Sequence, residues 1–238
     1  MIHIATHNHK GGCGKTTVAA HIVHLALEKG LHVLAVDLDR QGNLVKWLSG
    51  GDQVIEDGAL RRLGSNGTAL FSPDVFPEGQ FKKLDLIVTD TPPSASVPKH
   101  LRPDVWLTPI DGRMALEGAA NVTRDVLMQG DGRAPVRFIL NGCEEGGLLS
   151  ARDLRRALAD FIQSTRGLVD VYPEDIPRSA AIKRAGERFM PVWQVPYGER
   201  TGGALAMRAL AEWAVAGRWQ VDTGKPPERE SRRARRRA

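Results

Sequence analysis

Apolar residues in this chain follow two rhythms. The blocks Ile2–Thr6, Val33–Val36, Leu84–Thr89, Val105–Thr108 and Val136–Leu140 are short, mostly apolar runs with the length and continuity of buried strands. Between them, Lys15–Lys29 repeats Val18, Ile22, Leu25 and Ala26 at helical spacing and stops at Gly30, where a helix-ending glycine belongs. Met114–Met128, Ser150–Ser164, Ala180–Arg188 and Gly203–Trp219 read as further helices, with Ser150 as an N-cap, and Leu168–Val171 fits one more strand. Strands alternating with helices predict an α/β fold, a three-layer α/β/α sandwich around a mostly parallel, doubly wound sheet. Residues 51–82 are rich in Gly and Pro, carry no clear period and receive no assignment.

Composition fits one such domain, expected over residues 1–220: the chain has 238 residues, 42% of them hydrophobic. No apolar run approaches the ~18 residues of a membrane span, so no stable membrane insertion is expected. The N-terminus already reads as a strand rather than a signal peptide. Cys13 and Cys143 give no disulfide framework, which points to a reducing cytoplasm. The net charge of +5 suggests nucleic acid until it is located. Residues 225–238 hold seven Lys/Arg (Lys225, Arg229, Arg232, Arg233, Arg235, Arg236, Arg237) against Glu228 and Glu230, and the other 224 residues hold 26 basic and 26 acidic side chains. The body is therefore neutral. The excess sits in segment 221–238, which Pro226-Pro227 and the arginine run mark as a basic, disordered tail.

The first strand leads through His9-Lys10-Gly11-Gly12-Cys13-Gly14-Lys15-Thr16-Thr17 straight into a helix. Glycines let the backbone curl and aim its N–H groups at phosphate oxygens, and the helix behind them contributes its positive end. This is the construction of a P-loop NTPase, in which Lys15 reaches the β- and γ-phosphates and the Thr16 hydroxyl ligates magnesium. Its usual form is Gly-x-x-x-x-Gly-Lys-Ser/Thr, and His9 stands where the first glycine is usual. A glycine-rich turn without a ligand is the alternative, disfavoured because the segment lies between a strand and a helix. The cofactors expected are ATP and Mg2+, held by residues 10–17.

The stretch Lys10–Thr17 resembles the deviant Walker A motif of the ParA/MinD family of partition and positioning ATPases, in which the first glycine is often replaced. The resemblance implies ATP hydrolysis to ADP and phosphate in an ATP-dependent sandwich homodimer. Lys10 would cross to the partner's phosphates and, with Lys15, stabilise charge on the transferring phosphoryl group. The alternative for Lys10 is a solvated surface lysine. Asp37-Leu38-Asp39-Arg40-Gln41-Gly42-Asn43 resembles the family's Asp-x-Asp-Pro-Gln-Gly-Asn, with Arg40 in place of proline. That likeness implies that Asp39 positions the attacking water and Asp37 helps hold the magnesium shell; the alternative is that these residues cap the next helix. Leu86-Ile87-Val88-Thr89-Asp90-Thr91-Pro92-Pro93 is similar to a Walker B strand, so that Asp90 contacts magnesium and Thr91–Ser94 senses the γ-phosphate. By the same resemblance Asn141 reads the adenine edge, a role its amide suits, unless it is a turn asparagine. Ile176-Pro177-Arg178-Ser179 resembles the Ile-Pro-Arg segment beside the base, with Arg178 alternatively serving the dimer face or DNA. The likeness runs from Met1 to about Arg218 and leaves no room for the N-terminal helix-turn-helix domain of longer relatives.

The expected function is therefore that of a nucleoid-associated, ParA-like switch. Its ATP-bound dimer would bind DNA without sequence preference, and a ParB-like or other cargo-bound activator would trigger hydrolysis, driving plasmid or chromosome segregation or cargo positioning. Arg152/Arg155/Arg156 and Lys183/Arg184/Arg188 are candidate DNA contacts, since phosphates require only cations; solvated helix faces are the alternative. A MinD-like switch acting on a membrane or protein partner and an ATP-dependent amide synthetase stay open. An iron-protein-like electron donor is rejected for want of paired cysteines, and a tyrosine-kinase relative for want of a tyrosine-rich tail. The seven histidines show no metal spacing, and His3, His7 and His9 are expected to be structural or surface residues. Trp193, Trp213 and Trp219 are expected to pack the C-terminal helices.

Overall fold

A computed structural model describes residues 1–52, 56–73, 75–76, 83–93, 101–111, 113–129, 134–143, 150–165 and 167–220. In chain order the elements are β1 (Ile2–Thr6), α1 (Lys15–Glu28), β2 (Val33–Asp37), α2 (Asn43–Leu48), β3 (Leu60–Leu63), β4 (Gly67–Phe71) and β5 (Leu86–Asp90). There follow β6 (Val105–Ile110), α3 (Arg113–Gln129), β7 (Val136–Cys143), α4 (Ala151–Ser164), β8 (Val169–Val171), β9 (Ile176–Pro177), α5 (Ala180–Arg188) and α6 (Gly202–Val215). A 3-10 turn at Val192–Gln194 precedes α6.

The sheet order is β3-β4-β2-β5-β1-β6-β7-β8, with β9 added beside β7. Every pairing is parallel except β3 with β4. The central strands β2, β5 and β6 are buried at every position, as a sheet covered on both faces demands. One face packs on α1, α2, α5 and α6, where Val18, Ile22 and Leu25 meet Met207, Leu210 and Ala211. The other packs on α3 and α4 through Val122, Val126, Leu154, Leu158 and Phe138. This is the three-layer sandwich that the alternating pattern predicts.

Several local expectations hold in detail. After α1 the Leu31 amide donates to the Ala26 carbonyl and the Gly30 amide to that of Leu27, both at 3.0 Å, with Gly30 at φ 77. That is the αL ending which glycine permits without strain. The Ser150 hydroxyl accepts from the Asp153 amide at the start of α4. The closing helix is shorter than expected and stops at Val215: Gly217 turns at φ 69, and Trp219 folds back so that its Nε1 donates to the Ala214 carbonyl at 3.1 Å. Within the unassigned stretch 51–82 lies a hairpin of β3 and β4, closed over Gly64–Asn66, whose second strand extends the parallel sheet beside β2. The predicted basic tail, 221–238, lies outside the described residues.

Candidate nucleotide site

The site forms where β1, β2, β5, β6 and β7 end, since in a parallel sheet all carboxyl ends share one edge. Residues 7–14 leave β1 and curl into α1. Gly12 and Gly14 hold φ 75 and φ 101, backbone that L side chains rarely adopt. Gly14 has a second constraint: a Cβ there would collide with the Asn141 side-chain amide. Asn8 braces the entry. Its Nδ2 donates to the Pro109 carbonyl at 2.7 Å, and its Oδ1 accepts from the Lys10 amide at 3.0 Å. His9 reaches α3, Nε2 to Asp125 Oδ2 at 3.1 Å.

Both loop lysines are bound only to backbone carbonyls among the described residues. Lys15, buried, donates from Nζ to the Lys10 carbonyl at 3.0 Å, and Lys10 Nζ donates to the Asp111 carbonyl at 3.1 Å. Neither cation has a carboxylate partner there, so both charges are available to a phosphate. Cys13 is fully buried and donates Sγ–H to the Lys10 carbonyl at 3.3 Å, and burial raises its thiol pKa. It is an inert packing residue within the loop.

Opposite the loop, Asp37 and Asp90 end neighbouring strands in register. Thr16 Oγ1 donates to Asp90 Oδ2 at 2.6 Å and Thr6 Oγ1 to Oδ1 at 2.8 Å. Asp37 Oδ2 accepts from the Leu44 and Val45 amides at 2.8 and 3.1 Å, and Oδ1 from the Asp39 amide at 3.1 Å. Asp37 therefore does cap α2. Both carboxyls are held above the usual carboxylate range, first by burial; for Asp37 the facing Asp90 carboxylate adds to the shift. Two buried carboxylates beside a threonine hydroxyl carry more negative charge than the surrounding protein neutralises. That donor set fits a magnesium ion, with phosphate oxygens and water completing its shell. Asp39 is half-buried; its Oδ1 accepts from the Gln41 amide at 2.9 Å, which fixes it in a tight turn at the mouth.

The segment after β5, expected to be a switch, sits against the loop entry. The Thr91 hydroxyl donates to the Thr6 carbonyl at 2.8 Å and contacts His7 Nδ1 at 2.5 Å. A hydroxyl has one proton to give, so Nδ1 must carry the imidazole proton. Burial lowers the His7 pKa to about 3, which keeps the ring neutral. Pro93 lies over Gly11. Ser94, also expected in this segment, is outside the described residues.

Near the end of β7, Asn141 Nδ2 donates to the Cys13 carbonyl at 2.8 Å, so the residue clamps the phosphate loop to β7. Pro177 pairs with Cys143 through β9, and the Arg178 amide donates to the Cys143 carbonyl at 3.0 Å. A cavity of about 410 Å³ opens here, lined by Cys143, Asp175, Pro177, Arg152 and the N-termini of α4 and α6. Of the candidate DNA residues, Arg155 is spent internally, its Nη2 bonded to Asp175 Oδ1 at 2.6 Å and to the Tyr172 and Pro173 carbonyls. Arg152, Arg156, Lys183, Arg184 and Arg188 are exposed.

Sequence reasoning passed over Thr6, Asn8 and Asp111, which brace the loop or Asp90, and expected of His7 only a structural or surface place. Asn8 had a signal: an asparagine two residues before an amide that must turn is an Asx-turn pattern. Thr6 and Asp111 had none, because only the sheet register brings them to Asp90 and Lys10. Of the three histidines expected to be structural or surface residues, His3 and His7 are buried. His3 bonds Thr89, and His21 accepts from the Val192 amide at 3.0 Å while its Nδ1 meets the Thr17 carbonyl. Among the described residues no group of three or more His, Cys, Asp or Glu could hold a metal.

A curled glycine loop feeding a helix, with a buried lysine in it and carboxylates on the adjacent strand ends, defines a P-loop nucleotide-binding fold. The family model described as the CobQ/CobB/MinD/ParA nucleotide binding domain matches residues 4–192, and the chain belongs to that family of P-loop ATPases. Protein IncC of Escherichia coli is 26% identical over 86% of this chain, which spans 66% of IncC's length. Among solved structures, a Cyanothece McdA variant in complex with ATP superposes at TM-score 0.67, with 17% identity, over 91% of this chain and 96% of the other. A plasmid partition protein of Borrelia burgdorferi bound to AMPPNP superposes at TM-score 0.62, with 16% identity, over 91% and 98%. At these identities the structural likeness shows the fold.

Proposed function

We propose that the protein is a ParA-like ATPase that binds ATP with Mg2+, closes into a sandwich homodimer, binds DNA without sequence preference and positions or segregates cargo as a partner protein stimulates hydrolysis. The observation that carries this reading is Lys10. It stands at the mouth of the loop with its ammonium on a neutral carbonyl, a cation free to leave for a phosphate supplied from across a dimer interface. Lys15 and the loop amides hold the β- and γ-phosphates, Thr16 and Asp90 hold the magnesium with Asp37 behind them, and Asp39 orients the attacking water. Asn141, Pro177 and Arg178 flank the base. Solved structures of the same fold include a plasmid partition protein and a cobyrinic acid a,c-diamide synthase, so the choice of a cargo-moving role over an amide synthetase rests on Lys10. Among the described residues no helix is long and apolar enough to cross a membrane.

The test is Lys10→Ala. We expect it to keep ATP binding, to lower partner-stimulated hydrolysis by about 10³-fold, the scale of a cation supplied in trans, and to lose the ATP-dependent dimer seen by light scattering. Full turnover and dimerisation in that variant would remove the basis for the sandwich reading.

A further inference from the structure

Thr6 and Asp90 are the last paired residues of β1 and β5, so His7 and Thr91 are the first residues past the point where that register ends. The Thr91 amide makes the closing bond, to the Thr6 carbonyl at 3.3 Å. Side chains then take over. Thr91 Oγ1 spends its proton on the same carbonyl at 2.8 Å and accepts the Nδ1 proton of His7 at 2.5 Å. Both residues are fully buried. The His7 amide donates to the Leu107 carbonyl at 3.0 Å, and its ring stands edge-on to Trp106 and His9, with centroids 5.9 and 5.8 Å away. The imidazole is therefore fixed against β6 and the loop, and reaches across to the segment that follows Asp90.

The ring carries a cost that space filling alone would not. Its Nε2 is buried with no hydrogen-bond partner among the described residues, a penalty of about 1–3 kcal/mol. An apolar side chain of similar bulk would fill the space without it. What the imidazole adds is one donor, aimed at Thr91. Thr91 lies one residue from Asp90, whose Oδ2 takes the Thr16 hydroxyl at 2.6 Å, and two from Pro93, which lies over Gly11. Pro92 and Pro93 have fixed φ, so a shift at Thr91 passes on to Pro93 instead of being absorbed between them. We propose that His7 is a positioning residue for phosphoryl transfer: its Nδ1–H bond to Thr91 sets how Asp90 and Pro93 stand against the phosphate loop. In this role it contacts neither phosphate nor metal and acts through Thr91. The role rests on the ATP-hydrolysing function proposed above. Misplacing a catalytic group by about 1 Å costs about 10²-fold in rate, whereas ATP binding, carried by Lys15 and the loop amides, is spared.

The experiment has two readouts on the full chain, His7→Leu, His7→Asn, Thr91→Val and the double variant His7→Leu/Thr91→Val. Asparagine can place an N–H donor where Nδ1 stands; leucine cannot. Nitrogen-15 NMR of the nucleotide-free protein, with the His7 signal identified by its loss in His7→Leu, should show the Nδ1–H tautomer and a displaced resonance in Thr91→Val. An Nε2–H tautomer, or a signal indifferent to Thr91→Val, would overturn the proposal. In magnesium-dependent ATP hydrolysis, His7→Leu and Thr91→Val should each lower kcat by about 10- to 100-fold with KM for ATP within about twofold. The double variant should be no slower than the slower single one, and His7→Asn should recover most of the rate. Native kcat in His7→Leu, a loss confined to KM, an asparagine variant as slow as leucine, or single losses that multiply in the double variant would each count against His7 as a positioning residue. If His7→Leu does not fold, Thr91→Val, which keeps the shape and removes the hydroxyl, decides the matter: native kcat there overturns the role. A native chain that hydrolyses no ATP would overturn the function proposed above and this role with it, whereas variants that match an active native chain would overturn this role alone.

Discussion

The two ends of the central sheet handle charge in opposite ways. At the amino end, Arg137 is buried with its donors placed on three carbonyls, and Trp219 is folded over it. At the carboxyl end, Asp37 and Asp90 face each other in register, two lysines rest on neutral carbonyls, and a threonine hydroxyl points at a carboxylate. The first arrangement stabilises the fold. The second costs stability until a cation and phosphates arrive, because buried like charges raise each other's proton affinity. Sites held ready for a ligand are less stable without it, and here the contrast lies within single strands: β7 carries Arg137 near its start and Asn141 near its end.

The largest expected effect separates the ends. Asp90→Asn should lower magnesium-dependent ATP hydrolysis by about 10³-fold while leaving the Tm of the ligand-free protein at or above that of the native chain near pH 8. The sign follows from the raised carboxyl. Its favourable contribution is complete below the unfolded-state pKa and lost as pH rises through the folded one. A calorimetric scan and a phosphate-release assay check both halves; a sharp drop in Tm would make Asp90 a structural residue.

The amino end should respond the other way. Arg137→Met removes the donor that the Trp219 carbonyl has among the described residues and leaves the Leu168 carbonyl with the Val136 amide alone, and we expect a loss of about 3 kcal/mol in urea unfolding. ATP affinity should be unchanged, measured by titration with a fluorescent analogue. A weakened ATP site would show that the two ends are coupled through β7.

Much of this contrast was legible in the residues, unevenly so. The carboxyl end announces itself because its chemistry is local: Lys10–Thr17 and Asp37–Asn43 are contiguous, and strand–loop–helix order says where they lie. The amino end is silent, since nothing in Val136-Arg137-Phe138 foretells that residue 219 folds onto it. The β3–β4 hairpin escaped for a different reason. Leu60-Arg61-Arg62-Leu63 is an edge strand with half its positions exposed, so it lacks the apolar run that marks β2 and β5, although Gly64-Ser65-Asn66-Gly67 is a turn signal. Arg155 looked like a free cation because its partner Asp175 is twenty residues away and reaches it through the sheet edge.

Acid sharpens the comparison at a smaller scale. Helix α1 descends from the loop carrying His21 and His24, each lowered to about 4, first by burial. Against the raised carboxyls the sign reverses. An imidazole held neutral in the fold contributes stability fully above its unfolded value of 6.5 and loses it as pH falls toward about 4. The ligand-free protein should therefore be most stable at intermediate pH, losing on the alkaline side through Asp37 and Asp90 and on the acid side through the histidines. His24 is the better probe, because its Nε2 is buried without a hydrogen-bond partner among the described residues, whereas His21 bridges Val192. His24→Leu should remove on the order of 2 kcal/mol of the loss between pH 7.5 and pH 5, read as a flatter acid arm of the urea midpoint. Its alkaline arm should stay as in the native chain, since nothing at the carboxylate pair has changed. An acid arm as steep as the native one would place the acid sensitivity in His21, in His3 at the amino end of β1, or in His7 beside the phosphate loop.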